Sequence, residues 1–239
     1  MPHRLFNVQE VAEYLHLTPE DVNRRVKDRE IPFEMRGDRV VFRKQDIDQW
    51  ASQRILGLSK ERLAEYHLKS SKGTGDIQEN LISQMLERGA IDSALAAKTK
   101  ASVLRGLVDL ADKSWHVTDT RAFLASLEER EQLGSTAVPG GLALPHPRFH
   151  DQYLFDASFL VVGRSIQEIH FGAPDGRPTD LFFLICCQDD RLHLLTLARL
   201  CLMAQRTEVL AQLRAAPDAA SMRDALIAAE QQVLKGAAA

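Results

Sequence analysis

The seven residues Leu181-Phe-Phe-Leu-Ile-Cys-Cys187 form the longest unbroken apolar run in the chain. A bilayer span needs about 20 such residues, so this run is far too short to cross one. Its apolarity is continuous rather than alternating, which fits a strand buried on both faces inside a sheet flanked by helices. The helices are legible on either side. Lys98 to Lys113 places Val103, Leu104, Leu107, Val108 and Ala111 on one helical stripe, and a further helix runs from Asp119 to about Leu133. After the strand, Asp189 and Asp190 favour a helix N-terminus, and Leu194, Leu197, Ala198 and Cys201 recur at helical spacing up to Arg206. Leu195, Leu200 and Leu202 add apolar surface beyond that stripe, so this helix is covered on more than one side, with Arg199 expected to point outward. Ala90-Ile91-Asp92 and Ala157 to Val162 read as further strands. Thr207 to Ala215 and Asp218 to Leu234 read as closing helices on either side of Pro217. The expected fold is α/β, a mixed sheet flanked by helices.

Between two of these elements lies Arg130-Glu-Gln-Leu-Gly-Ser-Thr-Ala-Val-Pro-Gly-Gly-Leu-Ala-Leu-Pro-His-Pro-Arg148. Its composition suits a loop that holds an oxyanion beside a histidine. Ser135 and Thr136 offer hydroxyls, and Gly134, Gly140 and Gly141 allow backbone N–H groups close to a bound group. Pro145 and Pro147 restrict the backbone around His146. Arg130 and Arg148 carry guanidiniums suited to phosphate oxygens, although a loop arginine is most often simply solvated. No paired carboxylates, Ser/His/Asp order or P-loop is visible.

Arg-Glu-x-x-Gly-Ser-Thr followed by a glycine-rich turn and Gly-Leu-Ala-Leu-Pro-His resembles the active-site signature of the fructose/mannitol/nitrogen-regulatory class of enzyme IIA of the phosphoenolpyruvate phosphotransferase system. The resemblance implies that His146 accepts a phosphoryl group from a phosphohistidine carrier protein, with Arg130 and the segment Gly134, Ser135, Thr136 and Gly141 holding its oxygens and Arg148 nearby. The matching text His193-Leu-Leu-Thr-Leu-Ala198 implies that His193, at the start of a later helix, lies beside His146. A helix N-terminus would itself favour a phosphoryl group. No metal or nucleotide cofactor is required, since the donor already carries activated phosphate. The chain departs from the family pattern at Ala137, Pro139 and Pro147.

Residues 1–56 have a different character. Asn7-x-x-Glu10 forms a capping box before Val8, Val11, Ala12 and Leu15 at helical spacing. Thr18 and Pro19 start a second helix, whose outer face shows Asn23, Arg24, Arg25 and Lys27. Ile31 to Met35 and Arg39 to Arg43 flank Arg36-Gly37-Asp38 as a hairpin, and Asp46, Ile47, Trp50 and Ile55 suit a third helix. This pattern resembles the excisionase or MerR-like winged helix-turn-helix family, which implies DNA contacts by Asn23, Arg24, Arg25, Lys27, Arg39 and Arg43. The family often has glycine where this chain has Asp28-Arg29-Glu30, so the second helix is expected to end differently. Ten basic and ten acidic side chains balance within residues 1–56. Binding to DNA rests largely on phosphate neutralisation, so a protein-interaction module stays open as the alternative.

Ser59 caps a connector helix, and Lys69-Ser-Ser-Lys-Gly-Thr-Gly-Asp76 has the composition of a flexible linker. The expected organisation is a winged helix-turn-helix domain over 1–56, a connector over 57–76 and an enzyme IIA-like domain over 77–236. With 30 basic and 33 acidic residues, no whole-chain field argues for nucleic acid or membrane. The start, Met-Pro-His-Arg-Leu-Phe-Asn, carries neither a signal nor a transit peptide, so a cytoplasmic protein without membrane insertion is expected. Cys186, Cys187 and Cys201 show no zinc spacing and suit reduced core positions. His3, His16, His67, His116, His150 and His170 suit surface or packing roles. Three functions fit: a regulatory phosphocarrier whose state is coupled to DNA binding, a transcription regulator whose second domain only senses or docks, and a transport component passing phosphate to a separate enzyme IIB or other regulatory partner.

Overall fold

A computed structural model of the chain describes residues 4–71, 80–148 and 153–237. The chain forms two compact units, one up to Ile55 and one from Leu56 onward. In the first, β1 (Leu5–Phe6) leads into α1 (Val8–Tyr14) and α2 (Pro19–Lys27), then β2 (Glu34–Arg36), β3 (Arg39–Arg43) and α3 (Lys44–Leu56). The capping box forms as the sequence implies, with the Asn7 side chain accepting from Glu10 N–H and the Glu10 carboxylate accepting from Asn7 N–H at 2.8 Å. Helix α2 does not end unusually. Arg29 takes a left-handed φ of 56°, and Glu30 N–H reaches Arg25 C=O while Arg29 N–H reaches Val26 C=O. This is the glycine-type helix stop, made by an arginine at a backbone cost of about 1–2 kcal/mol. Strand β3 pairs with both β2 and the short β1, which the sequence pattern did not reveal. Val11, Val22, Phe42 and Ile47 are fully buried between these elements.

The second unit contains α4 (Lys60–Ser71), α5 (Leu81–Glu87), β4 (Ile91–Leu95), α6 (Lys100–Asp112), α7 (Thr120–Gln132), β5 (Ala137–Val138), β6 (Leu142–Ala143), β7 (Phe159–Ile169), β8 (Thr179–Cys186), α8 (Asp190–Arg206), α9 (Val209–Ala215) and α10 (Ala219–Ala237). The strands form one mixed sheet in the order β4-β7-β8-β6-β5. Pairing is parallel between β4 and β7 and between β6 and β8, and antiparallel for the other neighbours. The apolar run is β8, at the centre. Phe182, Leu184 and Cys186 pack with Phe159, Val161 and the inner faces of α6 and α7. The alternate residues Leu181, Phe183 and Ile185 are also buried, so helices cover both faces.

Two expectations are revised here. Arg199 does not point outward: every residue of α8 from His193 to Met203 is buried, Arg199 included. Helix α4 is not a free connector but packs along α8, with Leu63 and His67 buried. The glycines of the expected linker, at 73 and 75, lie outside the described residues, as do His3 and His150. Among the described residues no helix is long and apolar enough to cross a membrane.

Candidate active site

The parallel pairing of β6 with β8 continues past the strand, where Ile185 N–H donates to Pro145 C=O at 2.9 Å. This rung delivers His146 to the carboxyl end of β8. Helix α8 starts a few residues beyond that end, with Asp189 as its cap accepting from Leu192 N–H at 2.9 Å. The first turn of α8 therefore brings His193 to His146, their ring centroids 4.6 Å apart. Arg130 arrives from the last turn of α7.

All three side chains are buried, Arg130 and His146 at 2% exposure and His193 at 0%. The Nδ1 of His146 lies 2.8 Å from Leu144 C=O. A carbonyl only accepts, so Nδ1 carries the proton and Nε2 carries the lone pair. Onto that lone pair Arg130 donates its Nε–H at 3.0 Å, while its Nη1 donates to Gly134 C=O at 3.0 Å. The remaining nitrogen, Nη2, is buried with no hydrogen-bond partner among the described residues. Burial pushes the guanidinium below its ordinary pKa, an effect opposed by the neighbouring Glu131 charge, but arginine stays protonated in proteins. The site thus holds a desolvated cation with one spare donor beside an unprotonated imidazole nitrogen.

The loop around these residues is arranged differently from its composition. Thr136 gives its hydroxyl to Glu131 Oε2 at 2.6 Å and its N–H to the same carboxylate, and Ser135 Oγ donates to Phe171 C=O at 2.8 Å. Both hydroxyl protons are committed to the protein rather than pointed at a ligand. Gly134 does reach the site, through the carbonyl that receives Arg130. Gly141 does not. The β5–β6 hairpin carries it toward the opposite end of β8, where Asp180 and Leu181 N–H groups donate to its carbonyl. Residues 181 and 185 of β8 mark those two ends, roughly 13 Å apart in a strand. At that tip Arg214 donates to Asp180 and to Gly140 C=O. Arg148 is turned to α7 instead, its N–H on Ser126 Oγ at 3.1 Å and its guanidinium 3.5 Å from Glu129.

Glu131 is the residue whose part the sequence least disclosed. Besides Thr136, it pairs with Lys100 Nζ at 2.7 Å, and Lys100 also sits over the Phe171 ring. Thr136 C=O in turn accepts from Leu144 N–H at 3.0 Å, and Leu144 C=O sets the proton on His146. In the sequence the signal for Glu131 was its place after Arg130 within the Arg-Glu-x-x-Gly-Ser-Thr motif, which shows neither its burial nor its partners. Among the described residues no group of three or more His, Cys, Asp or Glu side chains could hold a metal ion.

In the first unit, Asn23, Lys27 and Arg39 are exposed. Arg24 pairs with Asp21 on the helix surface, and Arg43 pairs with Glu34 at 2.5 Å. Arg25 is different. Only 12% of its side chain is exposed, it pairs with Glu30 at 2.7 Å, and it lies over the Trp50 ring.

A small three-stranded helix-turn-helix unit, followed by a five-stranded mixed sheet with two histidines and an arginine at one end, defines a two-unit phosphotransferase-type architecture. The profile of the phosphoenolpyruvate-dependent sugar phosphotransferase system EIIA 2 family matches residues 84–229, and the chain belongs to that family. A helix-turn-helix domain profile matches residues 5–55. The chain is 32% identical over 149 residues to a nitrogen regulatory protein of Bradyrhizobium diazoefficiens, covering 61% of this chain and 94% of that relative. It is 28% identical over 134 residues to the fructose-specific EIIABC component of Bacillus subtilis, covering 55% of this chain but only 21% of that longer relative. Among solved structures, nitrogen regulatory protein IIA-Ntr of Neisseria meningitidis superposes with a TM-score of 0.52 at 22% identity over 61% of this chain and 99% of its own. IIA mannitol of Escherichia coli gives 0.51 at 18% identity over 57% and 94%. EIIA domains are phosphocarrier components of the phosphotransferase system.

Proposed function

We propose that the chain is a regulatory phosphocarrier in which Nε2 of His146 accepts a phosphoryl group from a phosphohistidine carrier protein, and that this state is coupled to DNA binding by the first unit. The observation that carries the reading is the buried Arg130 cation with its spare Nη2 beside the lone pair of His146. A phosphoryl group would supply the acceptor that Nη2 lacks among the described residues and add negative charge to that of the neighbouring Glu131. As the P–N bond of the donor breaks, its electron pair returns to the donor imidazole and a P–Nε2 bond forms. Nδ1 keeps its proton, held by Leu144 C=O, so no proton moves. Arg130 leaves Nε2 for the phosphoryl oxygens, and His193, in the first turn of α8, shares them. Such transfers depend chiefly on positioning and charge neutralisation.

Incubation with phosphoenolpyruvate, enzyme I and a carrier protein is expected to label the wild type and not His146→Ala, and to label Arg130→Ala roughly 10²-fold more slowly. Equal labelling of all three overturns the assignment. The regulatory rather than transport reading draws on the nitrogen regulatory relative, matched over 94% of its length. Transfer of the label to a separate enzyme IIB would favour the transport reading instead. For the first unit, Asn23, Lys27 and Arg39 are the leading DNA contacts, with Arg24 and Arg43 available because surface ion pairs are weak. Arg25 serves packing against Trp50. Lys27→Ala with Arg39→Ala should abolish the rise in fluorescence anisotropy of a labelled duplex at low salt, and no anisotropy change with wild type would exclude DNA as the ligand.

A further inference from the structure

Helix α4 lies between the two family matches, after residue 55 and before residue 84, yet it is built into the second unit. It packs along α8, the helix that carries His193, and its Leu63 and His67 are buried there at 0% and 2% exposure. The contact is not only apolar. Arg199 of α8, fully buried, donates its Nε–H to His67 Nε2 at 3.1 Å and pairs through Nη1 with Glu230 of α10 at 2.8 Å. Glu230, also fully buried, accepts from Ile82 N–H, Ser83 N–H and the Ser83 hydroxyl, which caps the start of α5. His193 and Arg199 are six residues apart on one helix, about 9 Å along its axis. Along the chain only Gly57, Leu58 and Ser59 separate α3 of the helix-turn-helix unit from α4.

We propose that α4 is the element through which the phosphoryl state of His146 leaves the site, with Arg199 on His67 as its latch. This rests on the phosphocarrier reading above and adds its route of regulation. The latch has two arrangements rather than a continuum, because a buried donor that loses its acceptor finds no water to replace it. The phosphoryl group would place about 1.5–2 negative charges beside the first turn of α8, where free N–H groups and the helix dipole respond to anions. A shift of α8 toward that charge is transmitted rigidly to Arg199, while His67 is held on a separate helix. Phosphorylation therefore weakens the latch and loosens α4, and the three-residue tether passes that change into α3.

The test is hydrogen exchange of the full-length chain, with and without phosphoenolpyruvate, enzyme I and carrier, reading the amides of residues 60–71 alongside the label on His146. Labelled wild type should exchange these amides about 5-fold faster or more, a typical allosteric coupling, whereas His146→Ala in the same mixture should not change. His67→Leu should show fast α4 exchange already without phosphate and no further response, yet accept label at the wild-type rate. His67→Gln, which retains an acceptor for Arg199, should restore the response. Label on His146 with unchanged or slower α4 exchange overturns this proposal alone. Absence of label removes the phosphocarrier reading and this proposal together.

Discussion

The latch predicts a specific dependence of stability on pH. His67 is held down to about 4 from its ordinary 6.5, first by burial and then by the charges of Arg199 and Arg206. Its Nε2 is occupied by the Arg199 donor, so the folded protein keeps it neutral where an unfolded chain would take up a proton. Below pH 6.5 the unfolded state thus binds more protons, and stability falls as pH falls toward 4. At 1.36 kcal/mol per pKa unit the full loss is roughly 3 kcal/mol, and by pH 5 about 2 kcal/mol of it is gone. Urea unfolding at pH 7.5 and pH 5.0 would be compared for wild type and His67→Gln, whose amide oxygen takes the same hydrogen bond without titrating. Wild type should lose about 2 kcal/mol more than the variant between the two pH values. Equal losses would refute the reasoning, since every other titrating group is shared by the two proteins.

Glu230→Leu should strand the Arg199 charge together with the α5 amides and cost about 3–5 kcal/mol, more than Arg199→Met, which leaves the carboxylate on those amides; thermal melts showing equal losses would disprove this order. Gly141→Ala should destabilise, because φ is +78° and a Cβ would stand 2.5 Å from Arg214 Nη2, yet leave His146 labelling unchanged. A labelling defect in that variant would return the hairpin tip to the active site. Glu131→Ala should free the Thr136 and Leu144 segment, alter the ¹⁵N shifts of the His146 ring and slow labelling by roughly 10²-fold, while Glu131→Gln keeps most of the rate. Unaltered ring shifts in the alanine variant would show that Glu131 does not set the tautomer.

Much of the fold was legible because burial on both faces leaves a continuous apolar mark, as in β8, and because caps such as Asn7 and Thr18 are local chemistry. The strands β1, β5 and β6 were not, since two-residue pairings carry no periodicity. At the candidate site, the motif resemblance named His146, His193 and Arg130, and the structure brings these three together. The partners of Ser135, Thr136 and Gly141 could not, because hairpin geometry decides which end of the sheet each reaches. Arg199 misled for a related reason: a charge on a helix is normally solvated, and its distant partners Glu230 and His67, which help make its burial tolerable, carry no local signal. Arg29 shows the converse, a helix stop kept without the residue that usually signals it.

The three cysteines, all buried at the end of β8 and within α8, give the molecule a built-in reporter. Burial pushes the thiols of Cys187 and Cys201 up to about 12 and raises Cys186 as well, so in the native state almost no thiolate is present to react. The chain has no cysteine before residue 186. Alkylation by a small maleimide therefore counts openings of the second unit alone and is blind to unfolding of the first. With one tryptophan in each unit, Trp50 and Trp115, total fluorescence reports on both, and that chemical selectivity makes the stability of the sheet around His146 measurable by mass, without truncation or dye.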